Sequence, residues 1–201
     1  KKYLVLLMPP LMWQKDRASH PTTTYLGAHE WRATEPVDVF ILDKQSLEIK
    51  RRHQLPTGFH FHIAGAFERD NGELELTVCN YKDASILWTM RQSGAKTSST
   101  AENSPWPQMH RVMLPATNGD GHVAPLLSEK LEFPRMVKDY QPRKTSLCWA
   151  LQLDEHSGLF RHVRSVNLET GASQSFDYGV NAYADEHVFI AKPHRDQINA
   201  D

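Results

Sequence analysis

The chain has 201 residues, and its 23 Lys and Arg residues nearly balance its 24 Asp and Glu residues. The formal net charge of −1 therefore argues against a protein that binds nucleic acid or anionic lipid through its overall charge. Hydrophobic residues make up 40% of the sequence, a proportion typical of a globular protein with a buried core. We expect a single domain over residues 1–201.

The most apolar segment is Lys2–Trp13, which is interrupted by Pro9 and Pro10 and is too short to span a bilayer. Because prolines do not continue a regular element, the pattern predicts a buried strand over Tyr3–Met8 that ends before them. The sequence opens on a core strand and has no initiator methionine, so we expect an internal piece of a longer protein.

Most of the remaining sequence predicts short strands joined by turns, because apolar runs alternate with clusters of Asp, Asn, Ser and Gly. In Glu73–Cys79 apolar and polar residues alternate with period two, which predicts one solvated and one packed face. Long helical periodicity is absent, so the predicted class is all-β: a sandwich, a barrel or a propeller. The predicted strands are Val37–Leu42, Leu47–His53, Phe59–Phe67, Glu73–Cys79, Ser146–Leu153, Phe160–Asn167, Ala172–Tyr178 and His187–Ala191.

Two local features concern the cysteines and one polar segment. Cys79 and Cys148 both lie in apolar runs, and we expect buried free thiols rather than a disulfide framework. Free thiols suit a reducing compartment. The segment Ser93–Ser104 consists of small and polar residues with little apolar surface to bury, and it is predicted to be a mobile surface loop.

The strand predicted at Phe59–Phe67 carries two histidines, His60 and His62, on the same face. An imidazole is costly to bury without a partner, so a metal, a carboxylate or a carbonyl is expected beside His62. A His-x-His pair on a strand can chelate a metal, although two polar residues of a half-exposed strand have the same spacing. The motifs of zinc proteases, phosphate-binding loops and α/β-hydrolases do not occur in the sequence.

Four segments of the chain then resemble the motifs of one family in the family's own order, and a leading segment is also similar. Phe61–Glu68 resembles a Phe-His-x-x-Asn-Ala-x-Glu strand, and Leu131–Arg135 contains a Glu-Phe-Pro-Arg sequence. Leu168–Gly179 resembles a Thr-Gly hairpin, Glu186–Pro193 resembles a Glu-Pro-Val-Phe-Val-Pro-x-Pro run, and Lys2–Leu11 is similar to an apolar strand followed by Pro-Pro-Leu. These are motifs of the carotenoid cleavage oxygenases, which include stilbene-cleaving dioxygenases and the retinal pigment epithelium isomerohydrolase.

The resemblance implies a portion of a seven-bladed β-propeller, in which several blades of antiparallel strands surround an axis. In this family a non-haem Fe(II) lies on the axis and is held by four histidines from different blades. Three of these histidines are oriented by glutamates. The enzymes use O2 to cleave a conjugated carbon–carbon double bond of a carotenoid, apocarotenoid or stilbene, whereas the isomerohydrolase branch cleaves and isomerises a retinyl ester.

Carried over by position, the resemblance implies that His62 is an iron ligand. Glu132 then accepts a hydrogen bond from the ring of His62, and Glu186 accepts one from the ring of another iron-binding histidine. Neutral imidazole is a good ligand for Fe(II), and a carboxylate on the other ring N–H fixes its tautomer and orientation. The implied cofactor is Fe(II), and the implied partners are O2 and a lipophilic small molecule.

The sequence departs from the family pattern at Gly65, where the family has Asn, and at His187, where it has Pro. His62 is also the only one of four expected iron ligands, so the chain by itself is expected to be inactive. Two alternatives remain. One is a non-catalytic, propeller-like binding module that has lost the iron site, and the other is an unrelated all-β protein in which His62 has a structural role.

The segment after the first predicted strand bears on location. Leu11, Met12 and Trp13 form an apolar run that either contacts a membrane, where lipophilic substrates reside, or belongs to the core. We therefore expect a cytoplasmic protein or one that associates peripherally with a membrane.

Overall fold

The computed structural model describes residues 2–91, 106–136, 146–154, 157–188 and 190. Within these residues the chain forms short helices and many strands, as the all-β prediction requires. The loop predicted at Ser93–Ser104 lies outside the described residues. The helices are α1 (Lys15–Ala18), a 3₁₀ turn (Leu26–Ala28) and α2 (Ser85–Arg91). The strands are β1 (Tyr3–Met8), β2 (Leu11–Trp13), β3 (His29–Trp31), β4 (Val37–Asp43), β5 (Ile49–Leu55), β6 (Phe59–Glu68), β7 (Leu74–Tyr81), β8 (Gln108–Leu114), β9 (Gly119–Asp120), β10 (His122–Met136), β11 (Leu147–Asp154), β12 (Leu159–Asn167) and β13 (Ser173–Asp177).

The first sheet has the strand order β1-β4-β5-β9, and β1 lies at its edge. β1 pairs with β4 and β4 pairs with β5, both antiparallel, as the predicted hairpin requires. The prediction of a buried strand over Tyr3–Met8 is wrong for half of its residues. Tyr3, Val5 and Leu7 pack against the core. The alternate residues of the strand, Leu4, Leu6 and Met8, are exposed because no other described element covers that face.

The larger sheet has the order β13-β12-β11-β10-β8-β7-β6, and its long strand β10 belongs to two four-stranded units. The first part of β10 pairs with β8, and the part after Lys130 pairs with β11. The register shifts between Glu132 and Arg135, just after this change of partner. β10 also contacts β6, the strand at the far edge of the first unit. Glu132 therefore lies where the two units meet.

The main core lies between the first sheet and strands β7 and β8, and it covers one face of β7. The opposite face of β7 is buried as well. The prediction of a solvated face on this strand is therefore wrong. Glu75 and Thr77, which occupy the predicted polar positions, are buried. The core cluster consists of Val37, Val39, Ile41, Leu55, Leu74, Leu76, Val78, Val112 and Leu114.

The other strand predictions have mixed outcomes. The hairpins of β6 with β7 and of β12 with β13 are present. The expected strand at His187–Ala191 is absent at the residues of that range that the structure describes. β8 and β10 were missed because prolines and charged residues interrupt the apolar alternation there. Cys79 and Cys148 are buried free thiols, as predicted.

Candidate metal centre

His62 lies in an irregular part of β6. Between His60 and Ile63 this strand advances three residues while its partner β7 advances two, from Asn80 to Val78. One extra residue on a strand is a β-bulge, and bulges commonly redirect side chains next to functional sites. The His62 side chain is 31% exposed, so it is partly accessible to a ligand.

The ring of His62 is held by Glu132. Its Nδ1 lies 2.6 Å from Oε2 of Glu132, whose side chain is only 2% exposed. A carboxylate only accepts hydrogen bonds, so Nδ1–H of His62 is the donor and, in the neutral ring, Nε2 carries the lone pair. Among the described residues no hydrogen bond reaches Nε2. The predicted contact between His62 and Glu132 is therefore present in the fold.

Two further donors bind the same carboxylate. The backbone N–H of Phe133 lies 2.6 Å from Oε2 of Glu132, and the Tyr81 hydroxyl donates to Oε1 across 2.8 Å. Each oxygen of Glu132 is thus engaged, Oε1 by the phenol and Oε2 by the two N–H groups. Burial and then the charge of Glu132 raise the pKa of Tyr81 well above its ordinary value, so the phenol stays protonated and donates.

The backbone at Phe133 is in the left-handed region, with φ +52°. This conformation costs about 1–2 kcal/mol for a residue with a side chain. Such local strain is concentrated at functional sites, where the surrounding structure enforces it. Here it accompanies the N–H bond to Glu132 and places the Phe133 ring 4.9 Å from the ring of His62.

The contacts of Glu132 lack a compensating positive side chain. No Lys or Arg in the described part of the chain forms an ion pair with this carboxylate. The nearby thiol of Cys79 does not titrate at neutral pH, because burial and then the charge of Glu132 raise its pKa. The donors to this buried carboxylate are instead an imidazole, a phenol and a backbone amide. The site is therefore electrostatically suited to a cation at Nε2 of His62.

Aromatic rings surround this pair. Phe61 is 39% exposed and contacts the ring of Tyr81 at 5.4 Å. Phe133 packs edge-to-face on Phe160, with ring centroids 5.4 Å apart. The ring of His62 therefore lies beside aromatic surface.

The other predicted residues occupy different surroundings. Glu186 forms an ion pair with Arg135, and within the described residues no histidine forms a hydrogen bond with it. His60 lies just before the bulge, where burial and then the charge of His110 lower its pKa to about 4. No group of three potential metal ligands is found among the described residues. The role of Glu186 toward an iron-binding histidine stays a prediction, as do those of His62 and Glu132 toward iron.

Sequence reasoning missed two of the groups that bind Glu132. Tyr81 follows the predicted strand Glu73–Cys79 and carries no motif, so only its place at the end of an apolar strand could have drawn attention to it. The N–H of Phe133 depends on a backbone angle that the Glu-Phe-Pro sequence does not indicate, since a residue before proline favours extended conformations.

A family model described as RPE65, retinal pigment epithelial membrane protein, matches residues 1–201. The chain belongs to this family. Among curated proteins no match was found. The retinal pigment epithelial family is of the carotenoid-cleavage oxygenase and isomerase type, so the unrelated all-β alternative is wrong.

Solved structures show the same fold at low sequence identity. The trigonal crystal form of a D477G ACO/RPE65 chimera has a TM-score of 0.76 and 20% identity, and the match covers 98% of this chain and 40% of the chimera. Cobalt-substituted Synechocystis ACO has a TM-score of 0.76 and 20% identity over 96% of this chain and 40% of that protein. The Trp149Ala variant of Synechocystis apocarotenoid oxygenase has a TM-score of 0.71 and 19% identity over 96% of this chain and 40% of that protein.

The chain thus spans about two fifths of the length of these solved proteins. The predicted fold is confirmed: the chain is a portion of a β-propeller of the carotenoid-oxygenase type, and its four-stranded units are blades. His62 and Glu132 lie on neighbouring blades, where β10 leaves one blade and enters the next.

Proposed function

We propose that the chain supplies His62 as one ligand of a non-haem Fe(II) centre, in an enzyme that uses O2 to cleave a conjugated carbon–carbon double bond. The substrate class is a carotenoid, apocarotenoid or stilbene-like molecule. The observation that carries the proposal is the hydrogen bond from His62 Nδ1 to the buried carboxylate of Glu132, which accepts three hydrogen bonds in all. This is how proteins hold a histidine that binds metal through its other nitrogen.

The donor set suits iron. Imidazole nitrogen is a normal ligand for Fe(II), and keeping the carboxylate of Glu132 one residue away from the metal leaves coordination positions open. A divalent cation at Nε2 would also offset the buried negative charge of Glu132, for which the described residues supply no Lys or Arg. Bound Fe(II) would supply the redox chemistry by which O2 reacts with the double bond. His62 would hold the metal, and Glu132 would keep the proton on Nδ1.

A second glutamate belongs to the proposal. Glu186 would orient a further iron-binding histidine in the full-length protein, as the family motif implies. In the described residues its carboxylate is paired with Arg135 instead. The proposed role therefore requires the Glu186 side chain to accept from a histidine in addition to the guanidinium.

The surroundings of His62 support a lipophilic substrate. Phe61 and Phe133 place aromatic surface beside the ring, and conjugated hydrocarbon chains pack well against such rings. Met12 and Trp13 are 41% and 51% exposed, and Leu11 packs partly against the cluster around Phe59. We include peripheral membrane contact through Leu11–Trp13 in the proposal. Among the described helices none is long and apolar enough to cross a membrane.

A second candidate function is a propeller-like binding module without iron. The ion pair between Glu186 and Arg135 favours it, because a guanidinium already satisfies the carboxylate that an iron-binding histidine would need. In that case the full-length protein would bind apolar molecules without metal and without turnover.

The two candidates are separated by assaying the full-length protein with Fe(II), O2 and a conjugated polyene. The proposal expects aldehyde or ketone products from wild type and none from His62→Ala. His122→Ala is the matched control, because His122 is an exposed histidine on β10. Products that persist in His62→Ala, or a wild-type protein that binds the polyene and never cleaves it, would overturn the assignment.

A further inference from the structure

Tyr81 ends β7 with its ring buried and its hydroxyl on Oε1 of Glu132. We infer that Tyr81 is a positioning residue: its O–H bond fixes the Glu132 carboxylate, which in turn fixes the ring of His62. Its effect on iron rests on the function proposed above, whereas its effect on the His62 ring does not.

The geometry explains why one hydroxyl matters. The last torsion of a glutamate side chain is broad and nearly two-fold, so a carboxylate turns easily unless both oxygens are held. Oε2 of Glu132 receives the N–H groups of His62 and Phe133. Within the described residues Oε1 receives only the hydroxyl of Tyr81. Donors on both oxygens hold the carboxylate plane, and with it the direction of the bond to Nδ1.

Packing alone does not account for a tyrosine at this position. The ring of Tyr81 meets Phe59 and Phe61 edge-on, with centroids 6.0 and 5.4 Å apart, and phenylalanine would make the same contacts. A buried hydroxyl adds a desolvation cost that is recovered only through a hydrogen bond. The bond to the charged carboxylate is of the stronger kind, because one partner is ionised.

Tyr81 is also placed to couple two blades. It belongs to β7, Glu132 lies where β10 enters the next blade, and His62 lies on β6. The three side chains therefore form a chain of hydrogen bonds across the blade junction. Loss of one outer partner of a metal-binding histidine typically lowers metal affinity 10- to 100-fold, and we expect about tenfold for a residue one bond further out.

The test uses full-length protein and the variant Tyr81→Phe, which keeps the ring and removes the O–H. The first measurement is the tautomer of His62 in metal-free protein, by ¹⁵N NMR of labelled histidine. Wild type is expected to show one dominant Nδ1–H form, and Tyr81→Phe a mixture or a broadened signal. The second measurement is Co(II) affinity by titration, with an expected loss of about tenfold.

Controls separate positioning from general damage. Tyr183→Phe removes a hydroxyl from an exposed tyrosine and is expected to change neither readout. In the Glu132→Gln background, Tyr81→Phe should cause little further loss of Co(II) affinity, because the path through the carboxylate is already altered. Comparing Glu132→Gln with and without Tyr81→Phe also keeps the test available if Tyr81→Phe alone folds poorly. Neither of these two proteins contains a buried Glu132 carboxylate whose Oε1 lacks its hydrogen bond.

The outcomes are distinct. An unchanged His62 tautomer and unchanged Co(II) affinity in folded Tyr81→Phe would overturn the role of Tyr81, and so would an equal loss of affinity in both backgrounds. Wild-type protein that bound no metal would overturn the proposed function instead. The tautomer comparison would then still decide whether Tyr81 positions His62.

Discussion

Two buried carboxylates of this propeller portion have opposite surroundings. Glu75, the second residue of β7, is 3% exposed and is paired with two guanidinium groups. Its partners are Arg69, in the turn between β6 and β7, and Arg111, on the neighbouring strand β8. Glu132 is equally buried, yet its described donors are an imidazole, a phenol and a backbone amide.

We propose that this difference reflects a structural role for Glu75 and a role in the metal site for Glu132. The charge of Glu75 is compensated by two arginines, so this carboxylate needs no further cation. Glu132 is buried without a Lys or Arg partner among the described residues, and its bond to Nδ1–H of His62 leaves Nε2 of that ring open. Two carboxylates buried to the same degree thus differ in whether basic side chains surround them.

Among substitutions that test the comparison of these two carboxylates, the largest effect is expected from Glu132→Gln. An amide has one acceptor oxygen and two donor N–H groups, so it cannot accept from His62, Tyr81 and Phe133 together. Fe(II) affinity of full-length protein should fall about 10- to 100-fold, with the fold retained. Isothermal titration would measure it, and an affinity equal to that of wild type would refute the role of Glu132.

The matched variant Glu75→Gln sharpens the comparison from the structural side. It leaves Arg69 and Arg111 without their carboxylate, but both arginines are more than 30% exposed and regain water. We expect a loss of about 1–2 kcal/mol in the free energy of unfolding, below that for a fully buried pair. Urea denaturation would measure the loss. A fall in iron affinity comparable with that of Glu132→Gln would show that the two carboxylates are not functionally distinct.

Buried histidines extend the comparison to pH. His53 donates Nδ1–H to the Gly119 carbonyl oxygen, and burial, followed by the charge of Arg51, lowers its pKa. Below about pH 6.5 the unfolded chain takes up a proton that folded His53 resists, so its contribution to stability is complete above that pH and is lost as the pH falls.

The variant His53→Gln should therefore flatten the stability profile between about pH 6.5 and 5, by at most about 1.4 kcal/mol per pH unit. Urea midpoints measured across this range would show the change. His122→Gln, at an exposed position, is the control. An unchanged slope in His53→Gln would mean that His53 titrates alike in both states.

The smallest effect is expected at Gly65, where the sequence departs from the family pattern. A Cβ added there would lie 2.9 Å from Sδ of Met136, the end of a flexible side chain that can shift. Gly65→Ala should therefore cost less than about 1 kcal/mol and leave iron affinity unchanged. Thermal unfolding and the metal titration would test both statements. A large loss of affinity would show that the glycine shapes the junction beside Glu132.

The strand-rich fold could be predicted from the sequence where apolar runs are bounded by turn residues, as in the hairpin of β4 and β5. The burial of β7 could not, because its alternating pattern does not reveal a second layer or the arginines that neutralise Glu75. β10 could not either, since it serves two blades and contains prolines. The local hydrophobic pattern of the sequence predicts which strands pair within a blade, whereas the burial of a strand depends on how the blades pack.

For the candidate site, the family motifs alone predict the contact between His62 and Glu132. Tyr81 could not be predicted, because its hydroxyl meets Glu132 only through the packing of β7 against β10. Nor could the left-handed backbone of Phe133, which lies within the register shift of β10. The surroundings of Glu186 also depend on tertiary contacts, in this case with Arg135.

The most direct test of the account is the metal content and Fe(II) affinity of full-length protein, compared between wild type, His62→Ala and the exposed-histidine control His122→Ala. We predict one iron per wild-type chain, the same in His122→Ala, and at least a 100-fold loss of affinity in His62→Ala, because a direct ligand is removed. Equal iron binding by His62→Ala and wild type would contradict the claim that His62, held by Glu132, is a ligand of the metal.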